Sequence, residues 1–170
     1  MNNTNSLQNV ARVIPKAKGK RGFSQGFFIP SHPEKYTGNV NEIRYLSSWE
    51  VKLMRFLDSN PAVLNWLSES YPIDYWSEAD NKMRKYYIDF FVKILKDDGT
   101  QENLAIEVKP HSEKYPPKKS KRKREDVYLK EEYTYRVNQA KWKTAEEWCK
   151  HHNFRFVVMD EYDLGIKKKK

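Results

Sequence analysis

The stretch YYIDFFVKILKDDGTQENLAIEVK, residues 86–109, decides the fold. Its first part, Tyr86 to Ile94, is rich in aromatic and β-branched residues and stops at the turn residues Asp97-Asp98-Gly99. A second apolar run, Leu104 to Lys109, is closed by Pro110. Such runs favour strands, and a connection this short joins antiparallel neighbours. We therefore predict a β-hairpin at the centre of the chain.

Each strand of this hairpin carries a carboxylate. Because side chains alternate along a strand, Asp89 shares a face with Phe91 and Lys93, and Glu107 shares a face with Ala105 and Lys109. If the two strands pair, Asp89, Glu107 and Lys109 converge on one side of the sheet and border a cleft. The opposite face is predicted to be apolar and inaccessible, with Ile88, Phe90, Val92 and Ile94 from the first strand and Leu104, Ile106 and Val108 from the second.

Two carboxylates beside a lysine suit a divalent metal site. Mg²⁺ prefers hard oxygen ligands, typically one or two carboxylates with waters and phosphate oxygens, and we expect Mn²⁺ to substitute for it. An ion held this way can position a water and stabilise the charge that develops on a phosphodiester. The lysine can orient or help deprotonate that water, or steady the phosphate.

Helical periodicity surrounds the hairpin. Ser47 and Glu50 fit a capping box ahead of a helix that ends at Asn60-Pro61. Pro61 can open a second short helix through Val63, Leu64 and Leu67. The remaining predicted elements are a strand at Ser70–Trp76, a long helix at about Asp126–His151 and a last strand at Phe154–Met159. The resulting order, α-β-β-β-α-β, predicts an α/β fold whose final strand returns through a helical crossover.

Composition limits the classes of function. The 170 residues include 32 Lys+Arg against 23 Asp+Glu, a net charge of +9, which favours a polyanionic partner, nucleic acid first. A single cysteine excludes a disulfide framework, and no apolar run suggests a membrane span or a signal peptide. We predict a basic N-terminal arm at 1–38, one domain at 39–164 and a lysine tail at 165–170.

A dense basic cluster lies in a predicted loop at 111–125. Its cations suit a phosphate-binding surface, although a similar string also serves as a nuclear-localisation signal. His111 just after the second strand, and Asn138 on the apolar face of the long helix, are further candidates for contact with DNA. The predicted DNA-binding residues are His111, Lys118, Lys119, Lys121, Arg122, Lys123, Arg124 and Asn138.

The ordered set of motifs resembles the PD-(D/E)XK nuclease core, and most closely the head completion nucleases of tailed bacteriophages, which share this core with TnsA-type endonucleases. The resemblance runs from about Tyr36 to Leu164. Its segments are Arg44–Glu50, Ser68-Glu69, Tyr86–Asp89, Ala105–Pro110 and Tyr135–Trp142.

The resemblance implies a restriction-endonuclease-like fold with a small mixed sheet flanked by helices. It also implies that Asp89 and Glu107 hold metal, that Glu50 completes the acidic cluster and that Lys109 serves the attacking water. One departure is Ile88, which stands where the family's name has proline. Glu50 also has a purely structural reading as half of the capping box, and Glu69 is interpreted as a surface charge rather than a fourth acid.

We therefore expect a Mg²⁺-dependent nuclease that cuts double-stranded DNA during phage head completion and head–tail joining. The expected partners are DNA and phage head or neck proteins, with no membrane. The expected location is the host cytoplasm during assembly, with association with the virion. The alternative is a head–tail joining protein that keeps the fold and binds DNA without cutting it. An RNA-binding module is disfavoured, because no aromatic stacking pattern of the RRM type is present.

Overall fold

A computed structural model describes residues 25–69 and 71–168. The predicted arm up to residue 24, Ser70 and the last two lysines lie outside the described residues. Three α-helices and eight strands are described, with a 3₁₀ turn at Pro33–Lys35. The helices are α1 (Ser48–Ser59), α2 (His111–Lys114) and α3 (Glu125–His151). The strands are β1 (Gly26–Phe27), β2 (Arg44–Tyr45), β3 (Val63–Ser68), β4 (Pro72–Ser77), β5 (Lys82–Tyr87), β6 (Phe90–Leu95), β7 (Gln101–Val108) and β8 (Arg155–Met159).

A four-stranded mixed sheet forms the centre of the molecule, in the order β3-β6-β7-β8. The β3–β6 and β6–β7 pairs are antiparallel, whereas β7 and β8 run parallel. The parallel pair needs a long connection, and the 27 residues of α3 provide it. The central sheet and its helices follow the predicted α-β-β-β-α-β order as α1, β3, β6, β7, α3 and β8. The first strand of that order is β3, however, and not the predicted strand Ser70–Trp76, which corresponds to β4 and pairs with β5 outside the central sheet.

Helix α1 covers one face of this sheet. It begins at the predicted cap, where the Ser47 hydroxyl accepts a hydrogen bond from the Glu50 N–H at 3.1 Å, and it ends before Asn60-Pro61. Its buried residues Leu53, Met54, Phe56 and Leu57 join the core cluster that contains Phe90, Val92, Ile94, Leu104, Ile106 and Val108. This is the apolar face that period-two alternation predicts for β6 and β7.

Helix α3 covers the other face, so the sheet is buried on both sides. Trp142, Ala145 and Cys149 on α3 pack with Phe91 of β6 and Ala105 of β7. The face assigned to Asp89 and Glu107 is therefore apolar over most of its length. The two acids lie at the end of the sheet where β6 begins and β7 ends, with Asp89 half-buried and Glu107 buried.

The predicted second helix at Pro61–Leu67 is wrong, because this segment is strand β3. Its pairing with β6 shifts register between Val63 and Asn65, as a β-bulge does. The extra residue brings Val63 and Trp66 into the same core cluster. Their spacing of three residues imitates a helical period, and this explains the error.

The strand predicted at Tyr86–Ile94 is two strands separated by a bend at Ile88-Asp89. Before the bend, β5 pairs with β4 in a separate two-stranded ribbon; after it, β6 enters the central sheet. The predicted face of Ile88 is wrong, since it packs in the cluster of Phe91 rather than with Phe90. The predicted inaccessibility of Ile88, Phe90, Ile106 and Val108 is confirmed, at 0%, 1%, 3% and 7% exposure.

The boundary of the arm also differs from the prediction, because the chain from Gly26 onward packs on the domain. β1 pairs with β2, and Phe28 is buried in the core beside Trp66. The backbone N–H groups of Ser31 and His32 both donate to the buried carboxylate of Asp58. A buried carboxylate needs such donors, and a segment distant in sequence supplies them. None of the described helices is long and apolar enough to cross a membrane.

Candidate active site

Asp89 lies in the bend that joins the ribbon to the central sheet. Its Oδ2 accepts a hydrogen bond from the backbone N–H of Val108 at 2.7 Å. The antiparallel pairing of β6 with β7 ends at Phe90↔Ile106, and Asp89 and Glu107 are the next residues beyond that pair. The structure therefore brings the two acids that the hairpin predicts close together at the end of the sheet, where Asp89 contacts the residue that follows Glu107.

Glu107 is almost completely buried, at 1% exposure, and both carboxylate oxygens have a donor. The Tyr86 hydroxyl donates to Oε2 at 2.7 Å, and the Lys109 ammonium lies 2.8 Å from Oε1. Tyr86 comes from β5, whereas Lys109 follows Glu107 by two residues in the chain. The carboxylate is thus fixed from two sides by groups on different elements.

Asp89 and Glu107 repel each other electrostatically, because two carboxylates lie close together in a largely buried site. Burial raises the pKa of Asp89 well above its ordinary value, and repulsion from Glu107 raises it further against the opposing effect of Lys109. For Lys109, burial alone would lower the pKa, but attraction to Glu107 and Asp89 outweighs it and raises the pKa. One ammonium therefore faces two carboxylates, and a further positive charge would relieve the remaining repulsion.

Glu50 and Glu69 extend this negative field. The carboxylate of Glu50 completes the capping box, with Oε2 accepting from the Leu46 N–H at 2.7 Å and Oε1 from the Ser47 hydroxyl at 2.8 Å. Partial loss of hydration at the carboxyl raises the pKa of Glu69, although the residue as a whole is exposed, and repulsion from Glu50 and Glu107 raises it further. Glu69 is exposed, as a surface charge is, yet its backbone N–H donates to the Asp89 carbonyl at 3.1 Å.

The donor set fits a hard divalent cation through Asp89 and Glu107. Mg²⁺ usually takes only one or two protein carboxylates, and this pair has an excess of negative charge. Within residues 25–69 and 71–168, no three acidic, histidine or cysteine side chains are grouped closely enough to hold a metal. Glu50 has both oxygens engaged in the helix cap, just as Glu107 has both of its oxygens engaged by Tyr86 and Lys109.

Sequence reasoning gives no role to Tyr86 or Lys141, which lie beside the acids. The Lys141 ammonium sits over the rings of Tyr86 and Tyr75, at 5.5 Å and 5.9 Å from their centroids. Burial lowers the pKa of Lys141, and repulsion from Lys109 lowers it further. The bend at Ile88-Asp89 hides this arrangement from sequence, because regular alternation would place Tyr86 and Asp89 on opposite faces.

His111 and Asn138 are held by other parts of the protein. The His111 ring nitrogen Nδ1 lies 2.8 Å from buried Asp160, and its backbone N–H donates to Glu161. The Asn138 amide donates to Glu113 of α2 at 3.1 Å. Both residues therefore fix α2 between the C-terminal turn and the long helix.

The predicted loop at 111–125 is shorter in the structure, since its ends belong to α2 and α3. Three of its cations pair with acids in the first turns of α3: Lys119 with Glu125, Lys123 with Glu131 and Arg124 with Asp126. Lys118, Lys121 and Arg122 are exposed and make no ion pair with any described residue. These three cations are available to an anionic partner.

Comparison with known proteins agrees with this geometry. A family model described as "TnsA-like endonuclease N terminal" matches residues 60–161, which include β3 to β8 and α3. A protein of Enterobacteria phage T4 named "Head completion nuclease" is 33% identical over 145 residues, covering 82% of this chain and 92% of the phage T4 protein. No solved structure matches the chain.

Proposed function

The chain belongs to the TnsA-like endonuclease family, and from this premise we propose that it is a divalent-metal-dependent nuclease that cuts double-stranded DNA in phage head completion and head–tail joining. The observation that carries the proposal is the placement of Asp89 near Glu107 at the end of the sheet, where Asp89 Oδ2 accepts from the Val108 N–H at 2.7 Å and the Lys109 ammonium lies 2.8 Å from the Glu107 carboxylate. The relative named as a head completion nuclease supports the biological setting. The host cytoplasm during assembly, and the virion, are the proposed locations.

Asp89 and Glu107 would hold the cation, with Mg²⁺ as the proposed ion and Mn²⁺ as its substitute. When bound, such an ion supplies a Lewis acid that lowers the pKa of a water and neutralises charge on the phosphate. Glu50 contributes negative charge near the pair while it caps α1. The charge of Glu50 would then attract a cation to the site while its carboxylate keeps its hydrogen bonds to Leu46 and Ser47.

Lys109 acts in this proposal as a charged hydrogen-bond donor. Its raised pKa keeps the ammonium protonated at neutral pH, so it can orient the attacking water or bind a phosphate oxygen. The positive charge of Lys109 also offsets part of the repulsion between the two carboxylates and the DNA phosphates. Its ion pair with Glu107 holds it beside the acids, where it can act in this way.

The basic loop would bind the DNA backbone. It follows β7 through α2, so Lys118 is only nine residues beyond Lys109 in sequence. Lys118, Lys121 and Arg122 offer charge to phosphates directly, whereas the three paired cations would first have to leave their acidic partners. We propose DNA as the main partner and phage head or neck proteins as the context in which it is cut.

The test is cleavage of a supercoiled plasmid with Mg²⁺, with Mn²⁺ and with EDTA. Asp89→Asn and Glu107→Gln should fold, bind DNA at least as well as the parent in EDTA, and lose metal-dependent nicking. Lys109→Ala should cut slowly. Glu102→Gln is the matched control, because it makes the same change at the other end of β7, where Glu102 pairs with Arg155, and it should cut normally.

Full cleavage by the Asp89→Asn, Glu107→Gln double variant would reject this site. A parent protein that binds DNA but never cuts, with either metal, would instead favour the non-catalytic joining protein.

A further inference from the structure

The hydroxyl of Tyr86 makes a contact that the proposed chemistry does not use. It donates to Glu107 Oε2 at 2.7 Å in a buried environment, where Tyr86 is 4% and Glu107 1% exposed. The side-chain donors to Glu107 among the described residues are Tyr86 and Lys109. Lys109 is long and flexible and is half-buried, whereas Tyr86 is a rigid ring. The tyrosine is therefore the stronger constraint on where this carboxylate points.

The Tyr86 ring is itself fixed by its neighbours. It meets the Tyr75 ring edge to face, with centroids 6.4 Å apart, and packs with Ile88, Ala105 and Trp142. The Lys141 ammonium lies over the ring on the side of α3. A ring held by β4 and α3 has little rotational freedom, so its hydroxyl occupies one position relative to Glu107.

The hydrogen bond from the Tyr86 hydroxyl also restrains the Glu107 side chain. It is 2.7 Å long and lies in a buried environment, so the Glu107 carboxylate cannot rotate about its side-chain bonds without losing it.

The bend at Ile88-Asp89 links Tyr86 to the second acid. In a straight strand, residues three apart point to opposite faces; here, Tyr86 binds Glu107 while Asp89 binds the Val108 N–H. Tyr86 and Asp89, three residues apart, therefore bind the neighbouring residues Glu107 and Val108 of β7. The bend sets the relative placement of both acids.

We propose that Tyr86 is a positioning residue, whose hydroxyl orients the Glu107 carboxylate for a divalent cation shared with Asp89. This inference rests on the proposed function and deepens it. Tyr86 does not touch the metal or the DNA; it acts through Glu107. Preorganisation of this kind raises affinity because less motion of the ligand is lost on binding.

The experiment compares Tyr86→Phe with Tyr75→Phe in the full chain. Both substitutions remove one hydroxyl from a buried ring, and the two rings are neighbours, but only the first removes a donor to Glu107. The first readout is Mn²⁺ binding without DNA, measured by titration calorimetry, with thermal melting as the test of folding. The second readout is kcat and KM for plasmid nicking.

Tyr86→Phe should have a melting temperature close to that of the parent. It should bind Mn²⁺ about 10-fold more weakly, as is typical when a hydrogen-bond partner of a metal ligand is lost. It should nick plasmid with a reduced kcat and an unchanged KM. Tyr75→Phe should leave Mn²⁺ affinity and kcat unchanged. Parental Mn²⁺ affinity in Tyr86→Phe would overturn the inference while leaving the nuclease proposal intact. An unfolded Tyr86→Phe beside a folded Tyr75→Phe would also overturn it, because the hydroxyl would then be structural. A parent protein that neither binds Mn²⁺ nor cuts would overturn both proposals.

Discussion

Asp89→Asn should stabilise the protein when no divalent cation is present. If the charges of Asp89 and Glu107 are separated by roughly 5 Å, the distance typical of Cβ atoms on neighbouring strands, they repel by about 3 kcal/mol at an effective dielectric constant of about 20. Lys109 offsets part of this repulsion, so we expect a net gain of roughly 1–2 kcal/mol at pH 7. Asparagine keeps an oxygen that can accept the Val108 N–H.

The gain should depend on pH. Because the pKa of Asp89 is raised in the folded state, the native protein binds this proton more tightly than the unfolded chain. Acidification therefore favours the folded parent, and the cost of the ionised pair appears as pH rises through the raised pKa. The difference between Asp89→Asn and the parent should grow as pH rises from about 4 toward the raised pKa of Asp89 and should vanish near pH 4.

The assay is urea unfolding and thermal melting in EDTA between pH 4 and pH 8. A gain of 1–2 kcal/mol corresponds to roughly 2–8 °C in a protein of this size. With saturating Mn²⁺ the order should reverse, because binding at about 100 times the Kd would stabilise the parent by about 2.7 kcal/mol. A destabilised Asp89→Asn protein at pH 7 in EDTA would refute the reasoning.

Asp98→Asn is the matched control for the sign of this effect. The Asp98 carboxylate accepts hydrogen bonds from the Thr100 hydroxyl and N–H in the exposed β6–β7 turn, and these bonds lower its pKa. Ionisation is therefore favourable there, and its removal should destabilise the protein at neutral pH. The stability that ionised Asp98 contributes is lost as pH falls through its lowered pKa. Two Asp→Asn changes on one hairpin should thus have opposite signs.

Three further outcomes are expected. Phe90→Ala should lower the free energy of unfolding, measured in urea, by roughly 3–5 kcal/mol, because it leaves a cavity. The matched change at exposed Phe27, Phe27→Ala, should alter that free energy by less than about 0.5 kcal/mol. A loss below about 1 kcal/mol at Phe90 would contradict its assignment to the core. Ser47→Ala should cost about 1 kcal/mol by removing the cap of α1, and an unchanged unfolding free energy would exclude the capping role. Replacement of Lys118, Lys121 and Arg122 by alanine should reduce the magnitude of the slope of log K against log salt for DNA binding by about 2.7. Replacement of the paired cations Lys119, Lys123 and Arg124 should reduce it by less. A slope equal to that of the parent in both variants would show that the loop does not contact DNA.

Local signals predict most of the framework because local physics forms it. The cap at Ser47, the long helix α3 and the β6–β7 hairpin each follow from a period or a turn that lies within a few residues. The pairing of Asp89 with Glu107 follows from the same hairpin. Whether these acids bind metal remains a prediction, since no described cluster of three ligands fixes it.

Long-range contacts account for what the sequence does not reveal. Strand β3 resembles a helix in sequence because a bulge gives its buried residues a helical spacing. The docking of the segment from Gly26 onward is hidden because its anchor, Asp58, lies 26 residues beyond His32. The role of Tyr86 is hidden because β-forming residues continue without a break through Ile88-Asp89, so no turn signal marks the change from one sheet to the other.

The departures from local rules converge on the acids, which supports a functional reading of this end of the sheet. Three described non-glycine residues have positive φ; Asn81 and Asn153 are of the type that adopts it readily in turns, whereas Glu69, at φ 43°, is not. The Glu69 N–H donates to the Asp89 carbonyl next to the bend, and the Asp89 carboxylate accepts from the N–H of Val108, the residue that follows buried Glu107. A left-handed glutamate, a broken strand and a crowded acid pair each reduce stability, and a chain selected for stability alone would not collect them at one place. A cation bound between Asp89 and Glu107 would relieve the repulsion between their charges, so that repulsion would strengthen cation binding.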